Sequence, residues 1–131
     1  MCPSVHTYTP PGAPAPIGPY NHIARAGDVI VIGGVAGIDP SSGELAGSDV
    51  GSQTRQILES LKMMLASVGS DLGHVVHMNV FLKDMADFEA MNQAYAEGMG
   101  THRPARTVVG VTDLPKVGAR LTMNLTAVAA D

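Results

Sequence analysis

Leu121-Thr122-Met123-Asn124-Leu125-Thr126-Ala127-Val128-Ala129 is the stretch that decides the fold. Leu121, Met123, Leu125, Ala127 and Ala129 alternate with Thr122, Asn124 and Thr126. A period of two marks a strand with one face turned to a core. The other face is polar yet carries no charge. That composition suits a sheet face lining a subunit interface better than one open to water.

Outward from this strand, Arg106 to Val111 predicts another. Before it, Asp84 or Asp87 can start a helix whose buried stripe is Met85, Phe88, Met91, Tyr95 and Met99, with Gly98 and Gly100 breaking it. Val75 to Leu82 predicts a strand with Val76, Met78, Val80 and Leu82 on one face. Val50, Ile57, Leu61, Met64, Leu65 and Val68 recur at helical spacing, so 50–68 predicts a helix that stops at Gly69. Asp39-Pro40-Ser41-Ser42-Gly43 is a turn cluster. Gly33, Gly34 and Gly37 predict a bulge or a close approach by another group. Tyr20 to Ala26, the turn Gly27-Asp28 and Val29 to Gly33 read as a hairpin. Six of nine prolines fall within the first twenty residues, so 1–16 reads as a proline-rich arm, with Val5 to Tyr8 a short edge strand.

The order strand-strand-helix-strand-helix-strand-strand gives an α+β chain, 1–131, forming a single domain. Two amphipathic helices pack most simply on one face of a mixed sheet. Nothing else in the chain can cover the opposite face. Charged residues make up only 15% of the chain, well below the usual share of about 25%. Both observations predict self-association.

The net charge is −4 and the basic residues are scattered. A nucleic-acid surface needs a clustered positive footprint, so that partner is not expected. No apolar run is long enough to span a bilayer, and no membrane partner is expected. Met1-Cys2-Pro3-Ser4 does not open like a secretory signal, and the single cysteine, Cys2, cannot form an internal disulfide. The cytoplasm is the expected location.

Arg106 is the foremost candidate for chemistry. It follows Pro104-Ala105 at the start of a hydrophobic strand, so its guanidinium projects from a stiffened backbone. Such a group can hold a carboxylate through two parallel hydrogen bonds, although on spacing alone a surface arginine is the commoner outcome. His74 and His77 lie three apart, on opposite faces if both are in a strand, and no metal-binding motif is present, so no metal is expected. His102 is either a pH-sensitive neighbour of Arg106 or a plain loop histidine. The glycines at 33, 34 and 37 lack the lysine of a phosphate loop.

Taken in order, several short elements resemble the Rid (YjgF) family, also called endoribonuclease L-PSP. They are Ile17-Gly18-Pro19-Tyr20, Ala26-Gly27-Asp28 and Asp39-Pro40 with Gly43. Gln53 and Leu61 follow, then Val80-Phe81-Leu82-Lys83-Asp84 with Phe88, Asn92 and Tyr95. Pro104-Ala105-Arg106 and Leu114-Pro115 complete the set. The resemblance covers about Ala15 to Ala129. It implies a chorismate mutase-like fold with a mixed six-stranded sheet, two helices on one face, and a homotrimer with clefts between subunits. It also implies cofactor-free hydrolysis of enamines and imines of amino acids to keto acids and ammonia. Arg106 matches the carboxylate-binding arginine, Tyr20 the tyrosine lining the cleft and Asn92 a nearby helix asparagine. Asn124 stands where deaminase members carry a glutamate that positions or activates water. An amide can orient water but cannot take its proton. Gly33-Gly34-Val35 replaces the usual Ser-Gly-Gln, and Val108 stands where a cysteine sometimes occurs. The resemblance therefore implies an intact carboxylate clamp with fewer polar helpers. That leaves a deaminase of altered rate or substrate, or a binder of small carboxylates.

Overall fold

A computed structural model of the chain describes residues 4–130; Cys2 and Pro3 lie outside them. The strands are β1 (Val5–Tyr8), β2 (Ile23–Ala26), β3 (Val29–Ala36), β4 (Ile38–Asp39), β5 (Glu44–Leu45), β6 (Val75–Leu82), β7 (Ala105–Gly110) and β8 (Leu121–Val128), and the helices are α1 (Val50–Ser67) and α2 (Phe88–Met99). Six strands form one sheet in the order β1-β2-β3-β8-β6-β7, while β4 and β5 make a separate hairpin over the Asp39–Gly43 turn. Only β6 and β7 run parallel; the other neighbours in the large sheet are antiparallel. Helix α2 is the crossover that makes the parallel pair possible.

Both helices cover one face. There Ile30, Ile32, Met78, Val80, Leu82, Leu121, Met123 and Ala127 are completely buried, against Ile57, Leu61, Met64, Leu65 and Met91 from the helices. The alternation in β8 holds along its length: Leu121, Met123, Leu125 and Ala127 are buried, and Thr122, Asn124 and Thr126 face the other way, half-buried.

Four sequence expectations need correction. The segment before β2 is not a strand until Ile23, because Pro19 and Tyr20 belong to a turn in which the Tyr20 amide donates to the Gly18 carbonyl. In β6 the buried face begins with Val75, not Val76. A register shift between Val75 and His77 turns Val76 outward, leaving it 51% exposed. Met85 lies in a single helical turn (85–87) ahead of α2 and is exposed. Gly98 does not break α2. It lies inside the helix, where an added Cβ would come within 2.3 Å of Leu58 Cδ1, so its bareness lets α1 and α2 pack closely.

The glycine cluster behaves as its composition predicts. The register of β3 against β8 shifts between Ile32 and Val35, which places a bulge at Gly33-Gly34. At Gly37 a Cβ would come within 2.7 Å of the Gln53 carbonyl oxygen. The proline-rich arm is held by specific bonds. Pro10 and Pro14 are buried, and His22 Nε2 lies 2.7 Å from the Pro14 carbonyl.

Candidate functional site

Arg106 lies on β7, the outermost strand beyond β6. Its register partner is the fully buried Met78, so its side chain leaves the sheet on the face that carries the helices. Val108, paired with Val80, points the same way and packs against the core. The guanidinium carbon sits 4.8 Å from the centre of the Tyr95 ring and 6.0 Å from that of Phe88. Both rings come from α2, and stacking of this kind holds a cation without neutralising it.

Asn92, Tyr95, Ala96, Arg103, Pro104 and Arg106 line a recess of about 350 Å³. Asn92 and Tyr95, three apart on α2, project to this side together. Among the described residues no carboxylate lines it, and the Arg106 side chain has no ion pair or hydrogen bond. Asn92 Oδ1 and the Tyr95 hydroxyl are buried there without partners among the described residues. Burial pushes the Tyr95 phenol above its ordinary value, and the nearby Arg106 and Arg103 cations pull it partly back. The phenol therefore stays neutral at physiological pH.

A larger recess of about 710 Å³ lies near the other end of the sheet, beside Lys83 and Arg120. Its cations are already paired. Arg120 Nη1 is 3.0 Å from Asp87 Oδ2, and Lys83 Nζ is 3.3 Å from Asp113 Oδ1. The Arg106 recess is smaller, but its cation lacks a counter-charge, which makes it the better candidate for binding an anion.

The remaining sequence candidates divide among three places. Asn92 and Val108 lie near Arg106. Tyr20 and Gly33 lie together elsewhere: the Gly33 amide donates to the His22 carbonyl at 2.9 Å, and the Tyr20 ring meets the His22 ring edge-on at 5.6 Å. Strands β8 and β6 separate β3 from β7, a span of about 14 Å at ordinary strand spacing. Asn124 belongs with neither group. It pairs with Asn79 on β6, whose own partner on β7 is Thr107, so it points to the face opposite Arg106. Its Oδ1 accepts a hydrogen bond from Asn79 Nδ2 at 2.8 Å.

The histidines are largely structural. His102 Nε2 donates to the Val75 carbonyl at 2.8 Å, tying the α2–β7 loop to the bulge in β6. His74 lies in a single helical turn (72–74), not in the strand, with Nδ1 2.7 Å from Asp71. His77 is on β6, with Nε2 3.0 Å from the Thr107 hydroxyl. No group of three or more metal-ligating side chains occurs among the described residues. No helix among them is long and apolar enough to cross a membrane.

The sequence placed Tyr95 and Phe88 in the buried stripe of α2 and among the elements of the family resemblance, but gave neither a role in the site, and it did not single out Arg103. The available signals were spacings: Tyr95 follows Asn92 by one helical turn, and Arg103 precedes Arg106 by three residues across a proline.

Residues 11–129 match the family model described as endoribonuclease L-PSP. The chain belongs to this family. It is similar to a RutC family protein of Pyrococcus horikoshii, with 47% identity over 104 residues, 79% of this chain and 82% of the relative. It is 35% identical to the human 2-iminobutanoate/2-iminopropanoate deaminase over 116 residues, 88% of this chain and 84% of that one. The solved structure of the YjgF gene product of E. coli superposes with a TM-score of 0.88 at 34% identity, covering 94% of this chain and 98% of the other. Membership of the Rid (YjgF) family and its fold, two helices on a mixed six-stranded sheet, follow from these matches together with the topology.

Proposed function

We propose that the chain is a hydrolytic deaminase of small enamines and imines bearing a carboxylate, with the site completed between copies of a homotrimer. One observation carries this reading: the Arg106 guanidinium, half-buried and stacked on Tyr95, lacks a counter-anion among the described residues. A substrate carboxylate would satisfy it with two charge-assisted hydrogen bonds. The deaminase name of the human relative supports the same chemistry.

The reaction asks little of the protein. An enamine gains a proton at carbon to become an imine, whose protonated form is already electrophilic. Water adds to the C=N carbon, a proton passes to nitrogen, and the C–N bond breaks to release ammonia and a keto acid. Anchoring the carboxylate holds the carbon beside a water, and positioning supplies most of the rate. Tyr20, Gly33 and Asn124 are too far from Arg106, or on the wrong face, to join it within one chain. A second copy would supply them. The uncharged open face, where Val31 is 43% exposed and Asn79, Thr122 and Asn124 are half-buried, is the surface such an assembly would cover.

The test is to generate 2-iminopropanoate and bulkier imines in solution and follow their loss. Wild-type protein accelerates hydrolysis and Arg106→Gln abolishes most of the acceleration; equal rates for the two overturn the reading. A non-catalytic binder of carboxylate metabolites is the second reading, favoured by Asn124, whose amide cannot accept a proton and whose oxygen is already bonded to Asn79. Saturable keto-acid binding without turnover selects it. RNA cleavage, suggested by the family's name, finds no support in a net charge of −4. Absence of nuclease activity at low salt closes that reading.

A further inference from the structure

We infer that the Arg106 recess takes substrates carrying a second anionic group, with Arg103 as the residue that binds it. This rests on the reading of Arg106 as the carboxylate anchor and names the class of substrate for the same site.

Arg103 lines the recess with Arg106, and no acidic side chain among the described residues lines it with them. Two cations held around one small recess repel each other, and the cost is relieved when an anion enters. Arg103 is also held in place. Its Nη1 donates to the carbonyls of Gly100 and His102 at the end of α2. On one side His102 is tied to Val75, and on the other Pro104 stiffens the backbone. The Nε and Nη2 donors of Arg103 have no partner among the described residues. The capping bonds therefore use one nitrogen and leave the rest of the planar fork available to an anion. Tyr95 lines the same recess, so the two arginines share one wall with that side chain.

The ligand chemistry is thus a 2-oxo or 2-imino acid whose far end carries a carboxylate or a phosphate. The recess, about 350 Å³, is large enough for an acid of four or five carbons.

The test is calorimetric binding of three stable keto acids: 2-oxoglutarate, 3-phosphohydroxypyruvate and the uncharged-ended 2-oxopentanoate. Wild-type protein binds 2-oxoglutarate or the phosphate compound about tenfold tighter than 2-oxopentanoate. The tighter of the two charged ligands identifies the second group. Arg103→Gln brings the preference close to unity, and Arg103→Lys, which keeps the charge, retains part of it. Equal wild-type binding of charged and uncharged ligands overturns the inference, as does a preference that survives in Arg103→Gln. The anchor reading is tested separately in the same experiment: Arg106→Gln loses all three ligands if that reading holds, and binds them like wild type if it fails.

Discussion

The two faces of the sheet are built from the same strands but to different rules. On the helix side, Ile30, Ile32, Met78, Val80, Leu82 and Met123 are wholly buried and closely packed. On the other side Val31, His77, Asn79, Thr107, Thr122, Asn124 and Thr126 are polar or β-branched and at least partly exposed, with no acidic or permanently cationic side chain among them. One face is finished by the chain's own helices. The other has paired some of its polar groups, Asn79 with Asn124 and His77 with Thr107, but nothing among the described residues covers it. The helix side therefore sets stability, and the open side is the surface that the proposed assembly would cover.

The sharpest way to break this division is to charge the open face. Thr126 lies between Val31 and His77 in the sheet. Thr126→Glu would bury an unpaired carboxylate in a subunit interface, and it is expected to abolish assembly while leaving a folded chain. Sedimentation with circular dichroism checks both parts. If the variant keeps its oligomeric state, the open face is not the interface.

A second substitution probes the neighbouring residue on the finished side. Leu125 is 1% exposed in the core. Leu125→Ala is expected to cost about 3 kcal/mol in denaturant unfolding at fixed protomer concentration.

The smallest effect concerns the helix that covers the apolar face. Asp49 caps α1 by accepting a hydrogen bond from the Ser52 amide at 2.9 Å, and that bond lowers its pKa from 3.8. A lowered folded value means the contribution is complete above the unfolded value and is lost as pH falls through the folded one. The gap in melting temperature between wild type and Asp49→Ala is therefore expected at pH 7 and should close as pH falls below 3.8.

Much of this was legible in the sequence because the signals were local. β8 announced itself by alternation, and α1 by its stripe and the glycine that follows it. The bulge in β3 was marked by Gly33-Gly34, whereas the bulge in β6 falls at Val75-Val76-His77, where no glycine advertises it, so Met78, Val80 and Leu82 were placed rightly but the first buried residue was taken as Val76 instead of Val75. Pro104-Ala105 pointed to Arg106 as a fixed side chain. The face on which Arg106 emerges was not legible, because it depends on β7 lying parallel to β6, a long-range pairing. The same limit hid the separation of Arg106 from Asn124. Adjacent strands in the sequence, they flank β6 in the sheet and turn these two side chains to opposite faces.

That separation makes the central claim directly testable. Arg106→Gln removes one half of the proposed site and Gly33→Val crowds the other. Each variant alone is expected to lose saturable 2-oxobutanoate binding. Co-expressed in equal amounts and purified as mixed oligomers, they should regain about a quarter of the wild-type sites, since that is the chance that an interface receives both intact halves. Mixed oligomers that bind no more ligand than either variant alone would contradict a site shared between two chains.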